Sequence, residues 1–343
     1  MGAWQIKENK ILIKKEITEK INIKKEIFED INISFLWDVM IWGRVKNAIY
    51  KNWMDYVFSW TTDFLNKKDM VVLNLETTVT NAVSKINKTY TFKADEKHLK
   101  WLKKFNKNLY VNLANNHIWD FKEIWMLDTM KNLEKNNIWF FGLWWNIAEA
   151  NSMKIVNIKN TKIWLIWQNC ISPQSYKAGE NEIWTAFFDK NILKKEIINA
   201  RKKEVDLIIL NAHCWIEYSN WPEKRQKNYY HFAIDNWVDL VIWHHPHWYQ
   251  WIENYKWKII FYSLWDYIFD IFRWRRTQEW IIADVFIKNK KIDKINIEAV
   301  HIYGFWNTKM VTKKQKNIIL NELQKISNKL SDIKTIKDWY IKF

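Results

Sequence analysis

Three histidines stand directly after a short apolar run: His244, His245 and His247 follow the segment 238–242. That run has the length and β-branched content of a buried strand. Side chains at the carboxyl end of such a strand project into the crevice where open α/β sheets bind ligands, and neutral imidazole is the commonest protein ligand for transition metals. The spacing predicts a metal site at this strand end; the alternative is a histidine-rich surface loop.

A predicted strand followed by polar ligands occurs at four other places. The groups concerned are Asp38, Glu76, Asn116 with His117, and His213. A mixed set of carboxylate, amide and imidazole suits one or two divalent cations such as Mn, Fe or Zn better than a structural zinc held by cysteines. Two such ions would clamp a phosphate and provide a hydroxide nucleophile near neutral pH, which is the chemistry of phosphoester hydrolysis. A helix N-cap is the alternative role for Asp38.

The elements that must position these groups alternate between strands and helices, as in an α/β chain. We expect a charged N-terminal arm or helix over 1–30, a main domain over 31–303 and a C-terminal amphipathic helix in 304–343. Apolar runs predict strands over 31–38, 70–76, 108–114, 138–142, 161–168, 205–212, 238–242, 280–287 and 292–302, and helical periodicity predicts helices over 123–136, 191–203 and 310–330.

The content of glycine and tryptophan is anomalous. Globular chains hold about 7% Gly, roughly two dozen in a chain of this length, whereas this one has 5 Gly and 26 Trp. Trp37, Trp243 and Trp265 stand at turns, where backbone geometry favours Gly because an indole disfavours positive φ. Our hypothesis is that many of these Trp are Gly in the cell, through UGA codons that the source organism reads as Gly. The alternative is a genuinely Trp-rich protein.

Bulk properties place few further limits on function. The net charge of +16 favours anionic partners, but Lys is scattered along the chain and no basic-aromatic motif appears, so we expect no nucleic-acid partner. The two cysteines show no spacing typical of a disulfide scaffold, and Cys214 is expected to fill space. The sequence shows no transmembrane span and no signal peptide, which predicts a cytoplasmic protein or one peripheral to the membrane.

Six blocks carry a resemblance to a known family when most of their Trp are replaced by Gly. They are FLWDVMIWGR, NLE, NNHIWDF, HCWIEYSNWP, DLVIWHHPHWYQWIE and IFYSLWDYIFD. In order and spacing they resemble the CapA/PgsA family of bacterial capsule and poly-γ-glutamate synthesis proteins, from about Ile31 to Val300. That family is similar to the calcineurin-like metallophosphoesterases, so the resemblance implies an α/β fold of two mixed β-sheets sandwiched between helices.

The resemblance also implies a set of site residues. Metal ligands are expected at Asp38, Glu76, Asn116, His213, His245 and His247. His117 is expected to act as general acid or phosphate contact, with Asp120 as the second catalytic residue. Substrate-binding positions are expected at Asn115, Glu217, His244 and Asp266.

The sequence departs from the family patterns at four of these places. Metallophosphoesterases have Asp-x-His in the first block, whereas here Met40 stands at the histidine position, so one ligand of a two-metal site is missing. Glu76 stands where many phosphoesterases have Asp, Cys214 where the family has Trp, and Asp266 where it has Asn. Family members that make capsule are commonly anchored to the membrane at the N-terminus, and no anchor is visible in this chain.

Three functions follow as alternatives. The first is a metal-dependent hydrolase of phosphoesters or of a γ-glutamyl polymer in capsule synthesis, with other capsule-synthesis proteins as partners. The second is a non-catalytic, metal-binding component that holds the anionic polymer during assembly or export. The third, nucleic-acid binding driven by charge, ranks last.

Overall fold

The computed structural model describes residues 29–52, 54–144, 150, 154–171, 184–186, 188–214, 216–219, 221–247, 250–264, 268–270, 275–329 and 340–342. All but the last two residues of the predicted N-terminal arm lie outside that part.

The described elements alternate between strands and helices, with a run of strands near the end of the chain. The strands are β1 (Ile31–Phe35), β2 (Met70–Asn74), β3 (Thr78–Val79), β4 (Lys93–Ala94), β5 (Leu109–Asn112), β6 (Trp139–Phe141), β7 (Leu143–Trp144), β8 (Lys154–Ile158), β9 (Thr161–Asn169), β10 (Trp184–Thr185), β11 (Leu207–His213), β12 (Leu240–His244), β13 (Ile252–Tyr255), β14 (Lys258–Phe261), β15 (Glu279–Lys288), β16 (Lys291–Tyr303), β17 (Asn307–Met310) and β18 (Tyr340–Lys342). The helices are α1 (Gly43–Asn52), α2 (Met54–Leu65), α3 (Leu99–Leu102), α4 (Glu123–Lys135), α5 (Lys190–Lys202), α6 (Lys224–Asp235) and α7 (Lys313–Ser327).

Two large mixed sheets form the framework. The first has the strand order β17-β16-β15-β1-β2-β5-β6, with β18 paired to β16. In it, β1, β2, β5 and β6 are parallel, whereas β15 runs antiparallel to β1. The second has the order β13-β14-β12-β11-β9-β8, with four parallel strands between two antiparallel edge strands.

The sheets pack face to face, and alternate side chains of one strand show it. In β11, Leu207 and Ile209 join a core cluster that also holds Phe35 of the first sheet. Ile208 of the same strand faces the other way, into a second cluster with Leu193 of α5. Because both faces of these strands are buried, their sequences are continuous apolar runs. The predicted fold of two mixed sheets between helices is confirmed.

The C-terminal segment 304–343 contains more than the predicted helix. Within the described part of this segment, the predicted helix extends over Lys313–Ser327 and forms α7. β17 and β18, on either side of it, both pair with β16, since their backbone groups complete the edge of the first sheet. The segment therefore belongs partly to the sheet framework.

Three two-residue hairpin turns have positive φ at both residues. They are Lys159–Asn160 (φ 43° and 64°), Lys256–Trp257 (49° and 63°) and Asn289–Lys290 (51° and 62°). Such turns favour Asn followed by Gly, because a side chain with a Cβ is strained there. Trp237 and Trp306 also have positive φ, at 81° and 58°.

Buried indoles show a second unusual feature. Trp37, Trp164 and Trp167 are buried, and the Nε1 of each has no hydrogen-bond partner among the described residues. Buried N–H groups are normally paired, because an unpaired one loses its hydration without compensation. Together with the positive φ values, these indoles support the recoding hypothesis, which stays a prediction.

Candidate metal centre

The candidate site lies where strands of the two sheets end side by side. Val39, just after β1, forms bridges to both Leu75 and Ile268, which brings the loops after β1 and β2 together. β11 and β12 are parallel neighbours, so His213 and His244 pair at their carboxyl ends. Parallel strands deliver the residues after them to one edge, and here the edges of both sheets meet.

Asp38 is the charged centre of the first loop. It is 1% exposed, and its Oδ1 accepts a hydrogen bond from Asn74 Nδ2 at 2.6 Å, while its Oδ2 accepts one from the backbone N–H of His245 at 3.2 Å. His213 Nδ1 and His244 Nδ1 each lie 3.6 Å from Oδ1. Burial alone would raise the pKa of Asp38, but the neighbouring histidines, His213 foremost, together outweigh burial, so the net pKa is lowered and the carboxylate stays ionised.

Glu76 is a fully buried carboxylate that lies beside two imidazoles. Neither of its oxygens accepts a hydrogen bond from a described residue, although His213 Nε2 lies 3.4 Å and His117 Nε2 3.7 Å from Oε1. Burial, and next the negative charge of Asp38, raise the pKa of Glu76 to about 7. An orphaned, buried pair of oxygens beside imidazoles is an arrangement that a divalent cation satisfies.

His213 connects the two sheets across the site. Its Nε2 lies 2.7 Å from Asn116 Oδ1, and its Nδ1 lies 3.2 Å from Asn74 Nδ2. Burial opposes a charged imidazole, yet the carboxylates Glu76 and Asp38 outweigh burial and raise the pKa of His213 to about 9. The structure thus brings four predicted ligands, Asp38, Glu76, Asn116 and His213, into one cluster.

Three amide side chains support this cluster: Asn74, Asn112 and Asn115. Of these, the sequence analysis predicted only Asn115 as a site residue. Asn74 Oδ1 accepts hydrogen bonds from Asn112 Nδ2 at 2.6 Å and from Asn115 Nδ2 at 3.1 Å. Asn115 is buried, and its Oδ1 accepts from the backbone N–H of His117 and Ile118, both at 3.1 Å. Asn115 therefore holds the loop that carries His117 and does not face the cleft as a substrate ligand would.

His117 is held in one orientation. Its Nδ1 lies 2.6 Å from Asp120 Oδ2, and its ring stacks on Phe92 with centroids 3.9 Å apart. Burial lowers the pKa of His117 to about 4, against the opposing effect of Asp120. In a neutral ring with Nδ1–H donating to Asp120, the free Nε2 points toward Glu76.

Lys88 is a site residue that sequence reasoning missed. Its Nζ donates to Asp120 Oδ1 at 2.9 Å and to the carbonyl of Asn116 at 3.0 Å, and lies 3.3 Å from His117 Nδ1. The side chain is 30% exposed. Lys88 precedes β4 in a segment without regular structure, so neither periodicity nor a strand end marked it in a Lys-rich sequence.

The histidine turn, residues 244–247 at the end of β12, places its three imidazoles in different surroundings. His244 is 1% exposed and packs against Trp37 and Trp167, with centroids 4.1 and 5.3 Å away, and burial lowers its pKa to about 3. It therefore lies behind the site and does not reach the cleft. His245 and His247 have positive φ values of 93° and 47°, which turn both residues back toward the ligand cluster.

A cleft of about 580 Å³ opens over the ligands. His117, His247 and Glu217 line it, so the predicted substrate residue Glu217 does face this space. Met40 forms part of the wall and packs with Phe92 in an apolar cluster. Asp266 lies outside the described residues.

The rim of the cleft is fixed by an ion pair. Arg44 Nε donates to Asp270 Oδ1 at 2.6 Å, and its backbone N–H donates to Oδ2 at 2.9 Å. Gly43, with φ of 57°, permits this approach because a Cβ there would collide with the Asp270 carboxylate.

Two groups of donors satisfy the geometry of a cation site. Glu76, His213 and His245 offer ligand atoms within 4.8 Å of one another, and so do Glu217, His245 and His247. The orphaned oxygens of Glu76 and the unpaired Nδ1 of His245 show that these residues fit a divalent metal. Carboxylate and imidazole together suit Mn, Fe or Zn.

A disulfide lies directly behind the ligands and corrects one expectation. Cys170 and Cys214 are joined, with their Cα atoms 5.0 Å apart, so Cys214 does more than fill space. The two residues follow the neighbouring strands β9 and β11, whose pairing brings them together. Their separation of 44 residues gave no spacing signal in the sequence.

Among solved structures, the chain superposes on the NAD nucleotidase NadN of Haemophilus influenzae with a TM-score of 0.50 at 11% identity, over 87% of this chain and 63% of that one. This chain thus spans less than two thirds of the nucleotidase, and the likeness concerns the fold alone. The predicted calcineurin-like metallophosphoesterase fold is confirmed. Within the described residues, no helix has the length and apolarity that crossing a membrane requires.

Curated relatives and a family model agree on the family. The chain is 24% identical over 304 residues to the capsule biosynthesis protein CapA of Bacillus anthracis, covering 87% of this chain and 74% of that protein. It is 27% identical over 300 residues to the PGA biosynthesis protein CapA of Bacillus subtilis (strain 168), with coverages of 86% and 78%. The model described as bacterial capsule synthesis protein PGA_cap matches residues 32–271. The chain therefore belongs to the bacterial capsule synthesis protein family PGA_cap, as its resemblance to CapA and PgsA predicted.

Proposed function

We propose that this capsule-synthesis protein is a metal-dependent hydrolase of an anionic substrate, either a phosphoester or a γ-glutamyl polymer such as poly-γ-glutamate. One observation carries the proposal. Glu76 is fully buried and accepts no hydrogen bond from a described residue, yet two imidazoles and Asp38 surround it. A protein keeps such a carboxylate when a positive ion compensates it.

The residues that would hold one or two divalent ions are those that the family resemblance implies. They are Asp38, Glu76, Asn116, His213, His245 and His247. A Mn, Fe or Zn ion, when bound, supplies Lewis-acid chemistry that polarises the scissile group and makes water a competent nucleophile near neutral pH. The row of amides through Asn74 orients Asp38 before any ligand arrives.

His117 would handle the proton. Asp120 fixes its tautomer through Nδ1, so the unprotonated Nε2 is the atom that would contact the substrate or water, take up a proton from water and pass it to the leaving group. Phe92 stacks on one face of the imidazole ring and restricts its rotation. Asp120 itself accepts from Lys88 and from the backbone N–H of Phe92 at 2.6 Å, so it has no freedom to turn away.

The cleft offers cationic groups to an anionic substrate. Lys88 and Arg44 both line it, and Lys88 lies beside His117. A phosphate or carboxylate held over the metal ligands would lie within reach of the ammonium group. The net charge of +16 also favours the approach of a polyanion.

The test compares His117→Ala with the unchanged full chain after loading with Mn²⁺, on bis-p-nitrophenyl phosphate and on poly-γ-glutamate. We expect turnover to fall by about 10²–10⁴-fold, because proton transfer is lost, and metal content to stay the same. His231→Ala is the matched control, since His231 lies outside the site and contacts Glu253 at 3.0 Å. Unchanged turnover in His117→Ala would refute the assigned role.

The non-catalytic alternative makes a different prediction in the same experiment. A polymer-holding component binds poly-γ-glutamate without cleaving it, and it releases the polymer at raised ionic strength because exposed charges are screened. Salt-sensitive binding with no cleavage of either substrate would favour assembly or export over hydrolysis.

A further inference from the structure

The two donor groups of the metal centre overlap at His245, and one of them reaches into the cleft. Glu76 and His213 form the inner group with His245, where every member is buried. Glu217 and His247 form the outer group, where Glu217 is exposed. A neutral imidazole offers one lone pair at a time, so His245 serves one ion at a time.

A backbone hydrogen bond positions the outer group. The N–H of Tyr218 donates to the carbonyl of Pro246 at 2.7 Å, which fixes the loop after β11 against the histidine turn. Glu217 therefore stands beside His247 because of the fold and not through a chance side-chain contact. The positive φ at His247 directs its ring into the same space, where it packs on Phe269 with centroids 4.6 Å apart.

The buried end of this arrangement also points to a ligand. His245 is 4% exposed, and its Nδ1 has no hydrogen-bond partner among the residues that the structure describes. An unpaired ring nitrogen at that depth is unfavourable unless a cation or water satisfies it.

Met40 occupies a position at which a metal-binding histidine is expected. It stands two residues after Asp38, where the general metallophosphoesterase pattern has a histidine ligand. Its side chain is 1% exposed and packs with Phe92 and Phe269 on the wall of the same cleft. A thioether is a soft ligand and a poor match for Mn²⁺, which favours carboxylate oxygen.

We propose that Glu217 supplies the ligand missing at Met40, so that Glu217 and His247 hold a second, exchangeable divalent cation on the cleft side of the inner ion. This inference rests on the proposed function, because it assumes an ion in the inner group. With few protein ligands and an exposed carboxylate, the outer ion binds more weakly than the inner one. It also gives an anionic substrate a cation to contact at the mouth of the site.

Titration of the metal-free full chain with Mn²⁺ alone, followed by calorimetry and metal analysis, tests the proposal. We expect a tight phase and a weak phase in the unchanged protein, and loss of only the weak phase in Glu217→Gln. Asp270→Asn, which removes another carboxylate from the same cleft, keeps both phases. The double variant Met40→His with Glu217→Gln regains the second phase, since it restores a ligand at position 40.

The outcomes separate this inference from the proposed function. A single phase in the unchanged protein, or two phases in Glu217→Gln, overturns the role of Glu217. Two phases that behave as expected, without hydrolysis of any substrate, contradict only the hydrolase. No Mn²⁺ binding at all rules out both.

Discussion

Replacing Trp257 by Gly should stabilise the protein, although the change removes the largest natural side chain. Trp257 is the second residue of the hairpin turn between β13 and β14, with φ of 63°. Left-handed backbone is unfavourable by about 1–2 kcal/mol for a residue with a Cβ. The side chain is 83% exposed, so little apolar burial is lost. Gly makes the unfolded state more flexible, and this entropy cost offsets about 0.5–1 kcal/mol of the stabilisation.

The net expectation is a gain of about 1 kcal/mol in the free energy of unfolding, or roughly 2 °C in the melting temperature. Urea denaturation followed by circular dichroism measures it. Trp60→Gly is the matched control, since Trp60 is also exposed, at 59%, but lies inside α2. There the same substitution should destabilise by about 0.5–1 kcal/mol, because Gly is a poor helix former.

A loss of stability in Trp257→Gly, of the size seen in Trp60→Gly, would refute the reasoning from backbone geometry. The opposite signs would support Gly as the natural residue at the turn. The codons decide the question independently, since UGG at positions 37, 243 and 265 excludes recoding there, whereas UGA permits it.

Two further predictions concern single charged or titrating groups. Lys88→Met removes a charge-assisted hydrogen bond to Asp120, and we expect kcat/KM for an anionic substrate to fall at least about tenfold. Lys88→Arg should recover part of the lost kcat/KM. An equal loss of kcat/KM on a neutral ester in Lys88→Met would contradict a role in recognising charge. Burial lowers the pKa of His98 from 6.5 to about 4, so its neutral form stabilises the fold fully above pH 6.5, and this stability is lost as the pH falls toward 4. His98→Gln should therefore lose less stability than the unchanged protein between about pH 7 and pH 5, as urea midpoints will show.

Sequence patterns located many of the strands and the polar residues that follow them, because both depend on local order. The runs before Asp38, Glu76 and His213 are continuous and apolar, since these strands are buried on both faces. Candidate ligands placed directly after such strands can be identified from one sequence. The structure brings Asp38, Glu76, Asn116 and His213 together as this reasoning expected.

The parts that the sequence did not reveal depend on contacts between distant segments. Lys88 reaches His117 from a segment without regular structure, and the disulfide joins cysteines that only sheet pairing brings close. The sequence placed His244 among the substrate contacts, but its ring packs against Trp37 and Trp167 and does not line the cleft. The first block shows Met40 at the position of the expected histidine ligand, but it does not show that Met40 and Glu217 line the same cleft.

Because the two sheets pack face to face, both of them contribute residues to the candidate metal centre. Asp38, Glu76 and Asn116 come from one sheet, and His213 and His245 from the other. A folding intermediate with only one sheet formed has no pocket for the proposed ion, so uptake should occur late and report that docking is complete. By mass action, an ion that binds only the native state then stabilises the packing of the two sheets against each other.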